Sequence, residues 1–287
     1  MLKRLIYLAL IFPFAAAAQI KEPYALFNAE GKQVSYASMA ERIAKADVVF
    51  FGELHNNTLA HWLELQILKE LHAGKKKVAV GMEMFERDDQ IVLDEYLSGQ
   101  IDEKNFLKEV KLWDNYNTDY KPMVEYAKKA AIPVIATNVP RRYANLVYRK
   151  GLTALDSISQ EAKQWIAPLP LVVDYTLPGY KAMMEGMGQH GGGSGQNLVA
   201  SQALKDATMA HFTVTNLPQG GIFYHVNGSY HSQNYEGILA YLKKYKPGLN
   251  VITLHVVEQS SISALDKSNL NKADFIFCIV EDIAKSY

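Results

Sequence analysis

Residues 47–57, DVVFFGELHNN, decide how this chain is read. Four consecutive strand-favouring apolar residues, Val48, Val49, Phe50 and Phe51, run into Gly52. Glu53 and His55 follow, just before a helical pattern opens at Thr58. The stretch spells a strand, a sharp turn and a helix start. It places a carboxylate and an imidazole at the strand's carboxyl end, where open α/β sheets hold their ligands. Taken alone, the same residues also fit a polar loop that happens to carry two ionisable groups.

Outward from this stretch, five more apolar runs occur at residues 78–84, 132–137, 221–226, 251–257 and 275–280. They are continuous rather than alternating, which suits strands buried on both faces of a largely parallel sheet. Helical patterns separate them. Leu59, Trp62, Leu63, Ile67 and Leu71 recur at helical spacing and Gly74 follows as a stop. Residues 120–131 carry Pro122 in their first turn, and another helix opens at Pro140. The fold class that follows is α/β, with a mainly parallel central sheet flanked by helices. Residues 24–33 read as a short lead with a turn signal at Glu30-Gly31-Lys32.

The segment 141–219 is too long for one crossover. It holds an apparent helix at 159–166, a Met-rich segment at 181–188, a glycine cluster at 191–195 and a helical stretch at 197–214. In the last of these, Val199, Ala203, Ala207, Ala210 and Val214 share one face. This reads as a helical insertion covering one edge of the sheet, with the glycine cluster as a mobile loop. Gly186 to Gly191 spells GxGxxG, but it follows a helix-like segment and not a strand, so the backbone needed to cradle a pyrophosphate is missing.

The amino terminus reads as a secretory signal over residues 1–18. Lys3 and Arg4 precede an apolar run at 5–14, and Ala16-Ala17-Ala18 forms an A-x-A cleavage site. The expectation is an exported, periplasmic, soluble protein with residues 19–287 as one domain. The apolar run is too short for a comfortable span, and no later segment is apolar over a membrane's thickness. Removal of Lys3 and Arg4 from 30 basic residues leaves 28 against 30 acidic ones, which gives no electrostatic footprint for nucleic acid. The single cysteine, Cys278, lies in FIFCIV and reads as a small buried hydrophobe. No cysteine follows the cleavage site to carry a lipid.

Polar groups collect where the predicted strands end. The first offers Glu53 and His55, the second Glu83 and Glu86, and the third Asn138 with Arg141 and Arg142 behind it. The fourth offers HVNGSYH ending in His231, and the fifth His255 or Glu258. In a parallel sheet these ends share one rim, so titratable groups gathered there by separate strands look like a site. Two of the ends share the spelling Gly-x-x-His, at Gly52–His55 and Gly228–His231. A glycine after a strand permits the tight turn that brings the His back over the strand end. Either His could instead cap a helix or satisfy a carbonyl. From their positions, Glu53, His55, Glu83 and His231 are expected to converge in one cleft. Two histidines and two carboxylates suit a borderline divalent metal, or a general base oriented by a carboxylate. One of Arg141 and Arg142 is expected to face the same cleft, since consecutive helix residues diverge.

FFGELHNN (50–57), VGMEMFERDDQ (80–90), ATNVPRR (136–142), SQALKDATMA (201–210) and VNGSYHSQNYEG (226–237) together resemble the ChaN family of haem-binding proteins linked to bacterial iron acquisition. That family is related to erythromycin esterases and to the Tiki and TraB proteases. The resemblance implies that Glu53, His55, Glu83 and His231 match the Gly-x-x-His pair and glutamates that Tiki-like relatives use for metal-dependent hydrolysis. It also implies that Gln202, Asp206 and Met209 match the family's helix after the insertion. Haem held between two subunits by tyrosine ligation is the family's mode, so haem and a ligand-dependent homodimer are the expected cofactor and partner. No motif fixes the tyrosine. Tyr175 and Tyr180 are the candidates because they precede Met183, Met184, Met187 and His190, a mix able to line a flat apolar ligand. Two function classes follow: an exported haem-binding module, or a metal-dependent hydrolase using the strand-end cluster.

Overall fold

All six apolar runs form strands, and a seventh strand precedes them. In the computed structural model, which describes residues 21–74, 76–186 and 194–287, they are β1 (Tyr24–Asn28), β2 (Val48–Glu53), β3 (Val78–Glu86), β4 (Val134–Asn138), β5 (Ile222–Gly228), β6 (Val251–Gln259) and β7 (Phe275–Val280). They make one sheet in the order β1-β7-β6-β2-β5-β3-β4, parallel throughout except for β1 against β7. The lead read at 24–33 therefore supplies an antiparallel edge strand. The leader read at 1–18 lies outside the described residues, among which no helix is long and apolar enough to cross a membrane.

The helices are α1 (Tyr36–Ile43), α2 (Thr58–Ala73), α3 (Gln90–Leu97), α4 (Glu103–Glu109), α5 (Lys121–Ala130), α6 (Arg141–Lys150), α7 (Gln160–Lys163), α8 (Pro178–Gly186), α9 (Ser194–Thr215) and α10 (Ile238–Tyr245). Proline opens α5 and Pro140 caps α6, both from sequence signals. Asn57 caps α2 by accepting from the Ala60 backbone N–H at 2.8 Å. The inward face of α2 carries Ala60, Leu63, Ile67 and Leu71, whereas Trp62 is half exposed. That face also buries His61 and Glu64. Of the glycine cluster, 191–193 lie outside the described residues and Gly195 already belongs to α9.

Two layers cover the sheet, and strand alternation assigns residues to them. Val49 and Phe51 of β2 pack with α2 and α5 in the larger core, while Val48 and Phe50 pack with Val199, Ala203, Ala207 and Ala210 of α9 on the other side. The insertion between β4 and β5 thus covers the β4 edge through α6 and runs on across the sheet face through α9. Cys278 is fully buried in β7. Alternation has one consequence for chemistry. Glu53 continues the 49, 51 series and faces α2. Glu83 continues the 79, 81 series and faces α9.

Candidate functional site

The carboxyl ends of β2, β3 and β5 open into a cleft of about 1580 Å³. Glu53 lies opposite Gly228 in the β2–β5 register, so the two Gly-x-x-His turns stand side by side. A side chain would crowd the turns where they touch: a Cβ on Gly228 would stand 2.5 Å from His55 Nε2. A Cβ on Gly52 would stand 3.2 Å from the Ser229 backbone. Glu53, His55, Glu83, Arg141 and His231 all line the cleft.

Two nests of buried charge flank its floor. On the α9 side His231 is held at both ring nitrogens, by Asp206 Oδ1 at 2.5 Å from Nδ1 and by Glu83 Oε1 at 3.1 Å from Nε2. Burial opposes its charge, but Glu83 and Asp206 prevail and push its pKa up to about 10. Glu83 is likewise drawn down to about 2 against its burial, by His231, His55 and the Gly228 backbone N–H, which donates to Oε2 at 2.7 Å. The Tyr180 hydroxyl donates to Asp206 Oδ2 at 2.6 Å, completing the chain Glu83–His231–Asp206–Tyr180.

On the α2 side His55 Nδ1 meets Glu53 Oε1 at 2.5 Å, and the buried Tyr120 hydroxyl donates to the same oxygen at 2.7 Å. The His55 side chain stays about a third exposed (36%) and rests edge-on against Trp113, with ring centroids 4.9 Å apart. Glu53 outweighs the effect of burial and raises the His55 pKa. Behind Glu53 lie His61, Glu64 and Asp119, all buried. Burial would discharge His61, yet Glu64 and Glu53 push it up to about 11, and burial beside Glu53 drives Glu64 well above the carboxylate range.

Several expectations from sequence need correction. Glu53, His55, Glu83 and His231 share the cleft but do not form one metal-ligand set, because both nitrogens of His231 are closed by carboxylates. Among the described residues the group with donor atoms within 4.8 Å of one another is Glu53, His61 and Glu64. Arg141 lines the cleft, its backbone N–H donating to Glu86 Oε2 at 3.0 Å, whereas Arg142 turns away to Asp88 at 2.5 Å. Tyr180 is buried with its hydroxyl spent on Asp206, so it does not reach the cleft as an iron ligand. Tyr175 packs against the α9 layer and is not among the lining residues. Met183 lines the cleft, whereas Met184 packs on the core. Met187 and His190 lie outside the described residues. His255 is buried within β6, and Glu258 accepts from Asn57 Nδ2 at 2.5 Å.

Sequence reasoning missed Tyr120, His61, Glu64 and Tyr230. His61 and Glu64 had a signal, two polar residues in phase with the apolar face of α2. Tyr230 also had one, standing inside the second Gly-x-x-His turn. It is 76% exposed and lines the cleft, while its neighbours Ser229 and His231 are buried.

Over residues 39–242 the chain matches the family described as haem-binding uptake, Tiki superfamily, ChaN. No curated protein matches it. A solved structure of Campylobacter jejuni ChaN with cofacial haem binding superposes with a TM-score of 0.67 at 20% identity, covering 88% of this chain and 96% of that one. A Bacillus cereus protein gives 0.52 at 12% identity, over 85% of this chain and 90% of its own. An erythromycin esterase mutant in its open conformation gives 0.50 at 9% identity, over 88% and 97%. At these identities the likeness is one of fold.

Proposed function

The chain belongs to the haem-binding uptake family of the Tiki superfamily, ChaN, and from that premise we propose that it is an exported protein whose strand-end cleft binds haem for haem or iron acquisition. Tyr230 carries the assignment. It is an exposed phenol on a backbone fixed by buried neighbours, in a cleft large enough for a porphyrin. Met183, Met84, Leu112 and Trp113 give the cleft an apolar wall, and Arg141 and Lys205 supply cations for the propionates. Tyr230 replaces Tyr175 and Tyr180 as the proposed iron ligand. The cleft is open on one side, so a second subunit covering the exposed haem face is the natural completion, and haem should promote dimerisation.

Haem titration followed by absorbance and sedimentation tests this. Wild type is expected to give a saturable Soret shift together with a rise in mass, and Tyr230→Phe to lose the tyrosinate spectrum. Retention of spectrum and affinity by Tyr230→Phe removes the ligand assignment, and no saturable binding by wild type removes the function.

A second reading, hydrolysis, is supported by the pairing of His55 with Glu53 at the cleft surface, the arrangement of a general base oriented by a carboxylate. Activity on ester or peptide substrates that His55→Gln abolishes, in protein with no saturable haem binding, would favour it.

A further inference from the structure

Behind the cleft floor, three potential metal-ligand atoms converge. Glu53 Oε2 and Glu64 Oε2 each stand 3.2 Å from His61 Nδ1. The opposite nitrogen, Nε2, faces the His55 carbonyl oxygen at 3.1 Å and Asp119 Oδ2 at 3.4 Å. Acceptors thus face both ring nitrogens, and once Nδ1 gives up its proton its lone pair joins the two carboxylates as a potential ligand while Nε2–H stays held from behind. The triangle is held together by a proton on His61 in metal-free protein, and a metal cation can take that proton's place. Glu53 Oε2 and Glu64 Oε1 are fully buried and lack any hydrogen-bond partner, a costly state for a carboxylate away from water.

From this geometry we propose that Glu53, His61 and Glu64 form a binding site for one first-row divalent cation. Bonds of about 2.0–2.1 Å to a tetrahedral ion set neighbouring donor atoms about 3.3 Å apart, close to the spacing around His61 Nδ1. One imidazole with two carboxylates suits the Zn²⁺, Mn²⁺ and Fe²⁺ class rather than the all-oxygen sites of Ca²⁺. Glu64 Oε1 supplies a fourth donor when that carboxylate binds through both oxygens. The surroundings are those of a metal site. Asp119 backs His61, and Asn115 Nδ2 donates to Asp119 Oδ2 at 2.7 Å and to the His55 carbonyl at 2.9 Å, the outer support that orients ligating histidines. Tyr120 and His55 occupy Glu53 Oε1 and leave Oε2 for the ion. This set shares only Glu53 with the four strand-end residues first read as ligands. The ion would fix Glu53 and through it His55, linking a buried metal to the cleft without entering it.

Chelator-treated, haem-free full-length protein titrated with Co²⁺ alone tests the site. One equivalent per chain with visible d–d bands is expected, displaced by Zn²⁺. Glu64→Gln and His61→Gln should weaken binding at least about 100-fold. Tyr230→Phe, which addresses haem, should leave the Co²⁺ titration unchanged, so that failure of this site and failure of haem binding are told apart. Absence of stoichiometric Co²⁺ or Zn²⁺, leaving protons as the occupants, overturns the proposal, as does wild-type affinity in Glu64→Gln. Should the variants not fold, anomalous scattering from Co²⁺-soaked wild-type crystals decides: a peak among the three residues supports the site, and a peak elsewhere or none overturns it.

Discussion

The two nests beneath the cleft use the same groups in opposite ways. At β3 and α9, His231 is closed on both nitrogens and nearly inaccessible, and the chain from Glu83 runs on to the Tyr180 phenol, which donates to Asp206. At β2 and α2, His55 is held on one nitrogen and a third of its side chain faces the cleft. The first arrangement stores charge to fix backbone. The second presents an imidazole whose orientation is set by groups beneath it. Equivalent Gly-x-x-His spellings therefore serve different ends, and what separates them is which helix lies on that face of the sheet. α9 brings Asp206 to the free nitrogen of His231, whereas α2 places His61 and Glu64 behind Glu53 and leaves His55 open.

If the closed nest is structural, Asp206→Ala should be the most damaging single change. It leaves a buried imidazolium with one partner and strips the Tyr180 hydroxyl of its acceptor, a loss of about 3–5 kcal/mol. His55→Ala should cost about 1 kcal/mol, since its ring is partly solvated. Urea unfolding with unchanged m-values checks this. Equal costs would break the contrast between the nests.

The pH dependence of stability sharpens it. His231 has a folded pKa of about 10 against an unfolded value near 6.5. A raised pKa means the folded state keeps a proton that the unfolded state has released. This contribution is therefore complete below about pH 6.5 and is lost as pH rises through about 10. His61, at about 11, adds in the same direction in metal-free protein. Unfolding free energy of chelated protein should fall by at least about 2 kcal/mol between pH 6.5 and 9.5, and by less in Asp206→Asn. A flat profile would show that His231 is neutral and the nest uncharged.

The sheet was legible because its strands are continuous apolar runs bounded by glycine and polar residues, and the convergence of Glu53, His55, Glu83 and His231 followed from parallel topology. β1 was not, because five residues pairing antiparallel with β7 make sense only once that distant partner is in place. Residues 111–120 carry no helical or strand period, and 116–120 form a π-helical turn. That turn delivers Tyr120 to Glu53 across 67 positions, a contact that local pattern cannot announce. Tyr180 misled for a similar reason. Its neighbourhood suggested a ligand platform, and only the packing of α8 against α9 shows the hydroxyl spent on Asp206.

A smaller effect separates contact from charge at the open nest. Gly228 has an ordinary backbone conformation, so Gly228→Ala strains nothing locally. Its new methyl would instead displace the His55 ring. A stability loss of about 1–3 kcal/mol is expected, together with return of the His55 pKa toward its ordinary value, read by NMR of the ring proton. Were His55 to keep its raised pKa, the ring would be held by Glu53 alone and not by the neighbouring turn.

The smallest expected effect belongs to Tyr120→Phe. The phenol donates to Glu53 Oε1, an oxygen that His55 also contacts, so its removal leaves that acceptor paired and should cost only about 1 kcal/mol. Because Glu53 keeps its charge through His55 and His61, the His55 pKa should stay raised in Tyr120→Phe. Glu53→Gln, of nearly the same shape, should drop it to or below the ordinary value, since burial and His231 are then opposed only by the smaller pull of Glu83. Ring-proton titrations of the two variants thus divide hydrogen bonding from charge. If Tyr120→Phe lowers the His55 pKa as far as Glu53→Gln does, then the phenol, and not the carboxylate's charge, sets the state of the one imidazole that this cleft leaves open among the described residues.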